Sequence, residues 1–330
     1  MNKKTIGNTD ITVTQIGLGC MGLSEFYGPP TDISDAIKLL HEAIELGVDH
    51  FDTAESYGVG SANETLLGLA FKDRRDKVRI ATKFGPLRDP ETGERIGLDG
   101  SRENCRRAVE GSLERLQTDH IDLYYLHRAD PNTPIEDTVD AMAELIQEGK
   151  IGAIGLSEVS GETLRRACTI HPIAAVQSEY SIFSRDIEAE VIPACIETGT
   201  SLVAYSPLGR GMLTGSFKAA SEISDTDFRG VMQPRFAGDA YAANLALVEQ
   251  ITSMADTKGV TPAEVALAWV MVKQDNVLPI AGTTRLANLK TNIASMDLTL
   301  DAADMSLLDQ LADQVQGTRY NEQGMTLLNG

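Results

Sequence analysis

Short apolar runs of strand length recur along the chain, and most follow a segment with helical spacing. Ala36, Leu40 and Ala43 recur at intervals of three or four residues, which predicts an amphipathic helix before the run VDHFD. A glycine, Gly47, stands between the two, where glycine commonly ends a helix. The same order returns several times and predicts a parallel sheet whose strands are covered by helices on both faces.

Eight strands are predicted in this way, near residues 15–19, 48–52, 78–82, 121–126, 151–156, 174–177, 201–205 and 277–280. Helices are predicted between them at 63–72, 101–117, 137–148, 161–170, 188–198 and 262–273, and Pro193 predicts a kink or a later start in the fifth of these. Eight alternating units favour an α/β fold of the (β/α)8 TIM-barrel type, with residues 1–330 as one barrel domain. The alternative is an open doubly wound sheet.

Two segments depart from this alternation. KKTIGNTDITVT, at the start, predicts a β-hairpin that turns at Gly7 and Asn8 and closes the barrel floor. Residues 207–238 show no sustained periodicity, and loops of that length in a compact domain are commonly functional. We interpret residues 209–236 as a lid over a bound ligand, one of several long loops at the C-terminal ends of the strands. A flexible insertion without that role is the alternative.

Composition and charge exclude several classes of protein. With 42% hydrophobic and 23% charged residues among 330, the chain has the composition of an ordinary globular protein. Its formal net charge of −19 opposes binding to nucleic acid and to anionic membranes. The sequence contains no uninterrupted apolar run long enough to span a membrane, and no signal-peptide core follows the N-terminal lysines. We therefore expect a cytoplasmic protein with neither partner.

The cysteines and one glycine motif have contexts that favour plain interpretations. Cys20, Cys105, Cys168 and Cys195 form no CxxC or Cys/His pattern, so we expect reduced thiols and no metal site. GLGCMG matches the GxGxxG dinucleotide fingerprint, but the turn-forming SEFYGPP follows where that fingerprint needs a helix. We interpret these glycines as positions where the backbone approaches a ligand closely.

Polar residues collect where the predicted strands end. The five are Asp52, Lys83, His127, Ser157 and Gln177, each at the end of a strand or just after it. Active sites of TIM barrels lie at the C-terminal ends of the strands. Each residue alone has an ordinary structural explanation, such as a helix cap or a hydrogen-bonded core histidine. Five residues at equivalent positions favour an active site.

The segments around these residues resemble the aldo-keto reductase superfamily. The resemblance is carried, in order, by FDTAESYG, NETLLGLA, ATKFG, DLYYLHRAD, GLSEV, QSEYS, YSPLGRG and PIAGTTRLANLKTN. It runs from about residue 4 to residue 320, and GCMGLSEFYG is similar to the bacterial and plant branch that reduces small aldehydes and ketones. The resemblance implies a (β/α)8 barrel that reduces an aldehyde or ketone reversibly with NADPH, or more weakly with NADH.

The resemblance further implies a catalytic tetrad of Asp52, Tyr57, Lys83 and His127. Tyr57 is expected to donate the proton, and the Lys83 ammonium is expected to lower the pKa of Tyr57. Asp52 would keep Lys83 charged and oriented, and His127 would hydrogen-bond the substrate oxygen. The expected substrate contacts are Tyr27, Tyr57, Phe84 and His127, with Met21 and the lid nearby.

The implied cofactor contacts are Cys20, Met21, Asp52, Ser157, Gln177, Tyr205, Ser206, Pro207, Leu208, Gly209, Gly211, Gly282, Thr283, Arg285 and Asn292. Ser157 and Gln177 would bind the carboxamide, Tyr205 would stack on the nicotinamide, and Arg285 would bind the 2′-phosphate near a helix N-terminus. Three positions depart from the commoner family pattern. Glu158 and Ser178 stand where asparagine is usual, and Thr291 stands where Glu or Gln is common.

Two other classes of function remain open from the sequence. A regulatory subunit could keep the barrel and the nucleotide and act by binding a partner. A sugar-binding or lyase barrel could use Asp52 and His127 differently, but it would leave Tyr57, Lys83 and Arg285 unexplained. For the reductase we expect a small-molecule carbonyl substrate and a monomer or weak homo-oligomer.

Overall fold

Strands and helices alternate along the described parts of the chain. The computed structural model describes residues 1–217, 227–326 and 328. Its strands are β1 (Lys3–Thr5), β2 (Thr12–Thr14), β3 (Leu18–Gly19), β4 (His50–Asp52), β5 (Arg79–Phe84), β6 (Pro86–Arg88), β7 (Arg95–Leu98), β8 (Ile121–Leu126), β9 (Ile151–Ser157), β10 (Ala175–Glu179), β11 (Ser201–Tyr205) and β12 (Val277–Ile280). Its helices are α1 (Ile33–Glu45), α2 (Ala62–Phe71), α3 (Arg102–Leu116), α4 (Ile135–Gln147), α5 (Gly161–Cys168), α6 (Val191–Thr198), α7 (Phe228–Met232), α8 (Gly238–Lys258), α9 (Pro262–Lys273), α10 (Leu286–Ala294), α11 (Ala302–Ala312) and α12 (Glu322–Met325).

Eight parallel strands form a sheet that closes on itself. The sheet runs in the order β3, β4, β5, β8, β9, β10, β11 and β12, and a parallel bridge between Gly17 and Ile280 joins its two edges. The two edges approach closely at this seam. A Cβ added to Gly19 would lie only 3.2 Å from the carbonyl oxygen of Ile280. The predicted (β/α)8 barrel is confirmed, and the open sheet is excluded.

All eight predicted barrel strands are present, with small differences at their ends. The first begins later than predicted because the Gln15 N–H donates to Asn2 and so belongs to the N-terminal hairpin. The third extends to Phe84 because Lys83 and Phe84 still pair with β8. Pro193 lies in the first turn of α6, so that helix starts later than predicted and is preceded by a short 3₁₀ turn at Asp186–Glu188.

The N-terminal hairpin closes the floor of the barrel. Strands β1 and β2 pair antiparallel, and the buried side chains of Ile6 and Val13 join an apolar cluster with residues from inside the barrel. The Gly7 N–H donates to the Ser201 hydroxyl at 2.8 Å, which fixes the turn against the start of β11. Apolar side chains therefore close this end of the barrel, and a polar active site is expected at the opposite end.

Several elements were not predicted from the sequence. The hairpin β6–β7 follows β5 directly and has half-buried and exposed strand residues but none that is buried, so no apolar alternation marks it. The 21-residue helix α8 follows the predicted lid, and α11 and α12 follow the last barrel unit. The hairpin and the C-terminal segment after α11 both reach the mouth of the barrel, where the polar residues collect.

The turn at Gly7 provides a test of the floor. Gly7 has φ +50°, and a Cβ there would clash with the carbonyl oxygen of Ala174, whereas Gly149 has φ +75° and open space around it. Both alanine variants carry left-handed backbone strain, but only Gly7→Ala also overpacks. We expect Gly7→Ala to lower the free energy of unfolding by about 1–3 kcal/mol more than Gly149→Ala. Denaturant titration of both variants measures the difference, and equal losses would contradict the proposed contact.

Candidate active site at the mouth of the barrel

A buried ion pair joins two neighbouring strands at the mouth. Asp52 ends β4 and pairs with Ala81 on β5, so the side chain of Lys83, two residues further, projects into the same interior. The Lys83 ammonium donates to Asp52 Oδ1 at 2.5 Å and to the carbonyl of Thr53 at 2.7 Å. Lys83 is fully buried and Asp52 is 2% exposed, so each charge depends on the other for stabilisation.

Tyr57 and His127 complete a compact group above this pair. The Lys83 ammonium lies 3.4 Å from the Tyr57 hydroxyl. The Tyr57 and His127 rings meet edge to face with centroids 5.6 Å apart. The Ser56 hydroxyl lies 3.4 Å from His127 Nδ1, and the His127 backbone N–H donates to Phe84. The structure thus brings the four residues of the expected tetrad together.

The environment of the group decides its protonation. Burial raises the pKa of Tyr57 above its ordinary value of 10.0, and the Lys83 charge only partly offsets this. The lowering effect of Lys83 that the sequence predicted is therefore present but smaller than the effect of burial, and the phenol is protonated near neutral pH. Burial and then the charges of Arg128 and Lys83 hold the pKa of His127 well below 6.5, so its imidazole is neutral.

Lys83 itself stays charged. Burial favours the neutral amine, but the Asp52 carboxylate and Tyr57 outweigh it and raise the pKa of Lys83 above 10.5. Gln177 adds to this arrangement, since its side-chain amide donates to Asp52 Oδ2 at 2.7 Å. Gln177, expected at the cofactor carboxamide, therefore also fixes the second oxygen of Asp52.

Ser157 and Glu158 lie where β9 reaches the mouth. The Ser157 hydroxyl accepts a hydrogen bond from Arg128 at 3.1 Å. Glu158 has a left-handed backbone, φ +55°, and both of its buried carboxylate oxygens accept from Arg319 at 3.0 Å. The charge of Arg319 and a second cation, Arg128, outweigh the burial of Glu158 and hold its pKa below 4.5.

This ion pair attaches the C-terminal segment to the barrel. Arg319 is 2% exposed and also binds Asp186 at 2.9 Å. The next residue, Tyr320, shares a hydrogen bond of 2.9 Å with the Tyr205 hydroxyl and accepts from Arg210 at 2.7 Å. Sequence reasoning missed Arg319 and Tyr320, although the unusual Glu158 pointed to a cationic partner.

The loop after β11 curves tightly at the mouth, where the Gly209 and Gly211 N–H groups donate to the carbonyls of Ser206 and Leu208. Ser206, Gly209, Arg210 and Gly211 all have positive φ angles, the conformations in which a short loop curves around an anion. Pro207 and Leu208 complete this loop, and the buried Arg210 is held in it by Glu179 at 2.9 Å. Residues 218–226 of the expected lid lie outside the described residues.

The segment after β12 offers a second group of donors. Thr283 accepts from the Arg285 N–H at 3.1 Å, and Arg285 directly precedes α10, with a half-buried Leu286 and a buried Asn292 inside that helix. Arg285 is exposed and has no carboxylate partner among the described residues. Gly282 lies against Gly19, since a Cβ on Gly282 would sit 3.1 Å from the Gly19 carbonyl oxygen. A phosphorylated nucleotide fits this free guanidinium and helix N-terminus.

The expected substrate contacts divide into two groups. Tyr27 is 37% exposed, and its hydroxyl accepts from Arg210 at 3.2 Å, so it lies at the mouth. Cys20 and Met21 precede it, and the buried Cys20 donates its backbone N–H to the carbonyl of Asp52.

Phe84 requires a correction, because its ring is fully buried and stacks on Tyr124 at 5.2 Å. Lys83 points into the barrel, so its strand neighbour Phe84 points outward under the helices.

The described residues offer neither a metal site nor a membrane span. No group of three or more His, Cys, Asp or Glu side chains there is arranged to hold a metal ion. All four cysteines are free thiols. Within the same residues, no helix is long and apolar enough to cross a membrane.

Comparisons with known proteins agree with this geometry. The chain matches the model of the Aldo/keto reductase family over residues 15–313. The glycerol dehydrogenase AKR11B4 from Gluconobacter oxydans is 26% identical with a TM-score of 0.86, over 95% of this chain and 96% of that protein. The holo form of AKR11C1 from Bacillus halodurans is 29% identical with a TM-score of 0.80, over 98% and 99%. The thermostable aldo-keto reductase Tm1743, in complex with the inhibitor epalrestat, is 31% identical with a TM-score of 0.76, over 94% and 100%.

The chain belongs to the aldo/keto reductase family. It is accordingly an oxidoreductase of the kind that acts on carbonyl and alcohol groups, and such enzymes generally use nicotinamide cofactors.

The Glu158–Arg319 pair provides a test of how the C-terminal segment is held. Arg319→Met would leave the buried Glu158 carboxylate without its paired cation, with the Glu179 N–H at 3.0 Å as its remaining hydrogen-bond donor, and we expect a loss of about 3–5 kcal/mol in the free energy of unfolding. The control, Arg165→Met, breaks an exposed pair with Glu197 and should cost less than about 1 kcal/mol.

The same pair has a pH signature. Because the folded-state pKa of Glu158 lies below its ordinary value of 4.5, the stabilisation is present above pH 4.5 and is lost as the pH falls through the folded value. Denaturant titrations from pH 7 to pH 3 should therefore show the difference between wild type and Arg319→Met shrink on acidification. A constant difference would contradict the assignment.

Proposed function

We propose that the protein reduces an aldehyde or ketone to the alcohol with NADPH, with Tyr57 as the proton donor. The observation that carries this proposal is the position of the Tyr57 hydroxyl, 3.4 Å from a fully buried lysine ammonium and beside a neutral histidine. A carbonyl oxygen placed between Tyr57 and His127 would meet one proton donor and one hydrogen-bond donor.

Each residue of the group then has one task. When bound, the reduced nicotinamide supplies the hydride that goes to the carbonyl carbon. With the Ser56 hydroxyl donating to Nδ1, neutral His127 donates its Nε2–H to the carbonyl oxygen and orients it. Tyr57 transfers its proton to that oxygen as negative charge develops there. The phenolate that remains is stabilised by the Lys83 ammonium, which Asp52 keeps charged and in place.

The residues also fit the proposed cofactor. Gln177 and Ser157 lie beside Asp52 and His127, near where the reacting end of a nicotinamide would lie, and the Tyr205 ring flanks the same space. The curvature of the loop at 206–211 suits a pyrophosphate, and Arg285, which has no carboxylate partner among the described residues, suits a 2′-phosphate. In a protein with a net charge of −19, binding such an anion depends on fixed local donors of this kind.

The proposal also covers the domain organisation of the chain and its location in the cell. The whole chain would act as one barrel domain, with the segment 207–238 as its lid. A cytoplasmic location is supported by four cysteines that are all free thiols, as a reducing compartment would keep them.

Removal of the Tyr57 hydroxyl tests the proton donor. Tyr57→Phe keeps the ring, so we expect the affinity for NADPH to stay close to that of wild type while kcat falls by about 10²–10⁴-fold. The control is Tyr124→Phe, because Tyr124 is buried away from the mouth and its hydroxyl has no partner among the described groups. Single-turnover oxidation of NADPH at 340 nm measures the step. If Tyr57→Phe retains more than a tenth of the rate, the proton comes from elsewhere.

Removal of the Arg285 guanidinium tests the choice of cofactor. A charge-assisted hydrogen bond is worth about 1.5–3 kcal/mol, so Arg285→Ala should raise KM for NADPH by about tenfold or more. KM for NADH should change little. Lys290→Ala removes another exposed cation of α10 and serves as the control. Equal weakening toward both cofactors would show that Arg285 holds the nucleotide without distinguishing the 2′-phosphate.

A further inference from the structure

Three arginines from two segments converge beside the catalytic group. Arg128 directly follows His127, and Arg88 and Arg95 belong to the hairpin β6–β7, which begins two residues after the end of β5. The charges of all three are close enough to His127 to lower its pKa. None of the three has a role in the proton transfer described above.

The hairpin places two of these arginines side by side. Arg88 and Arg95 pair across β6 and β7, beside an irregularity in the register. Directly opposed residues of an antiparallel pair share a face, and like charges in that arrangement are destabilising. Arg88 is neutralised by Glu25 at 2.8 Å and donates to the carbonyl of Ser56 at 2.6 Å, which fixes the hairpin next to the loop that carries Tyr57.

The other two arginines have no carboxylate in ion-pair contact among the described residues, and Arg128 acts on Glu158 only from a longer distance. Among the described residues, the side chain of Arg95 makes no ion pair or hydrogen bond, and the residue is exposed. Half-buried Arg128 donates only to uncharged oxygens, the His127 carbonyl at 2.6 Å and the Ser157 hydroxyl at 3.1 Å. Three buried cations near the mouth each have a carboxylate: Lys83 has Asp52, Arg210 has Glu179, and Arg319 has Glu158. The mouth is thus locally cationic in a protein whose net charge is −19.

We propose that this mouth selects carbonyl substrates that carry a carboxylate group, which Arg95 and Arg128 bind while the carbonyl oxygen faces Tyr57 and His127. The planar guanidinium suits a carboxylate, with two parallel N–H donors for its two oxygens. In the proposed function the phosphates of the cofactor bind elsewhere, at the loop 206–211 after β11 and at Arg285 after β12. This inference rests on the proposed function, because it names the substrate class of the same site.

Matched substrates test the selection by kinetics. 4-Formylbenzoate and its methyl ester differ in charge and present the same aldehyde. At low ionic strength we expect wild type to prefer the carboxylate by about tenfold or more in kcat/KM, the size of one charge-assisted hydrogen bond. Arg95→Gln should reduce that preference about tenfold, and 0.5 M NaCl should reduce it in wild type. The control, Arg165→Gln, removes an exposed arginine on α5 and should keep the preference.

A binding measurement separates this inference from the proposed function. Benzoate and benzamide have nearly the same shape and need no turnover, so calorimetric titration of each, with and without saturating NADP⁺, reports charge recognition alone. Tighter binding of benzoate that weakens about tenfold in Arg95→Gln supports the inference, even if no aldehyde is reduced and the proposed function fails. Equal binding of benzoate and benzamide overturns it, even in an active reductase. Benzoate binding that is unchanged in Arg95→Gln also overturns it.

Discussion

The buried pair between Lys83 and Asp52 is the interaction on which the site depends. Removing both charges from water is costly, and their attraction offsets that cost only because further donors and acceptors complete the pair. The carbonyl of Thr53 takes a second proton of the ammonium, and the Gln177 amide satisfies the second carboxylate oxygen. One ion pair thereby connects three barrel strands and fixes the point in space from which Tyr57 is stabilised once it has lost its proton.

A single side chain beside the site, Glu158, alters how the mouth is built. Glu158 occupies a left-handed backbone position, which asparagine tolerates better than glutamate. Two hydrogen bonds from Arg319 hold it there, and the same arginine brings Tyr320 to Tyr205. The C-terminal segment therefore becomes part of the wall around the reaction space. Glu158 in place of the usual asparagine thus weakens one expected cofactor contact, and its pair with Arg319 adds a structural support for the C-terminal segment.

The barrel was predictable from the sequence because its strands are continuous apolar runs punctuated by glycines. The tetrad was predictable because its residues stand at strand ends, within motifs that resemble a known family. The hairpin β6–β7 was not predicted because none of its strand residues is buried, and Arg319 was not predicted because its partner lies 161 positions away in sequence. The orientation of Phe84 could have been deduced, since adjacent residues on a strand point to opposite faces. The pKa of Tyr57 could not, because it depends on how completely water is excluded around it.

The apolar floor made by Ile6 and Val13 has a kinetic consequence. Beneath the ion pair, these two floor residues pack against apolar side chains of the barrel interior such as Leu123, Val203 and Leu278, so the floor offers no opening for reactants. A proton lost from Tyr57 must then be replaced through the same opening that admits the reactants. The return of a proton to Tyr57 and the departure of the product are consequently successive events, and both take place at the mouth of the barrel.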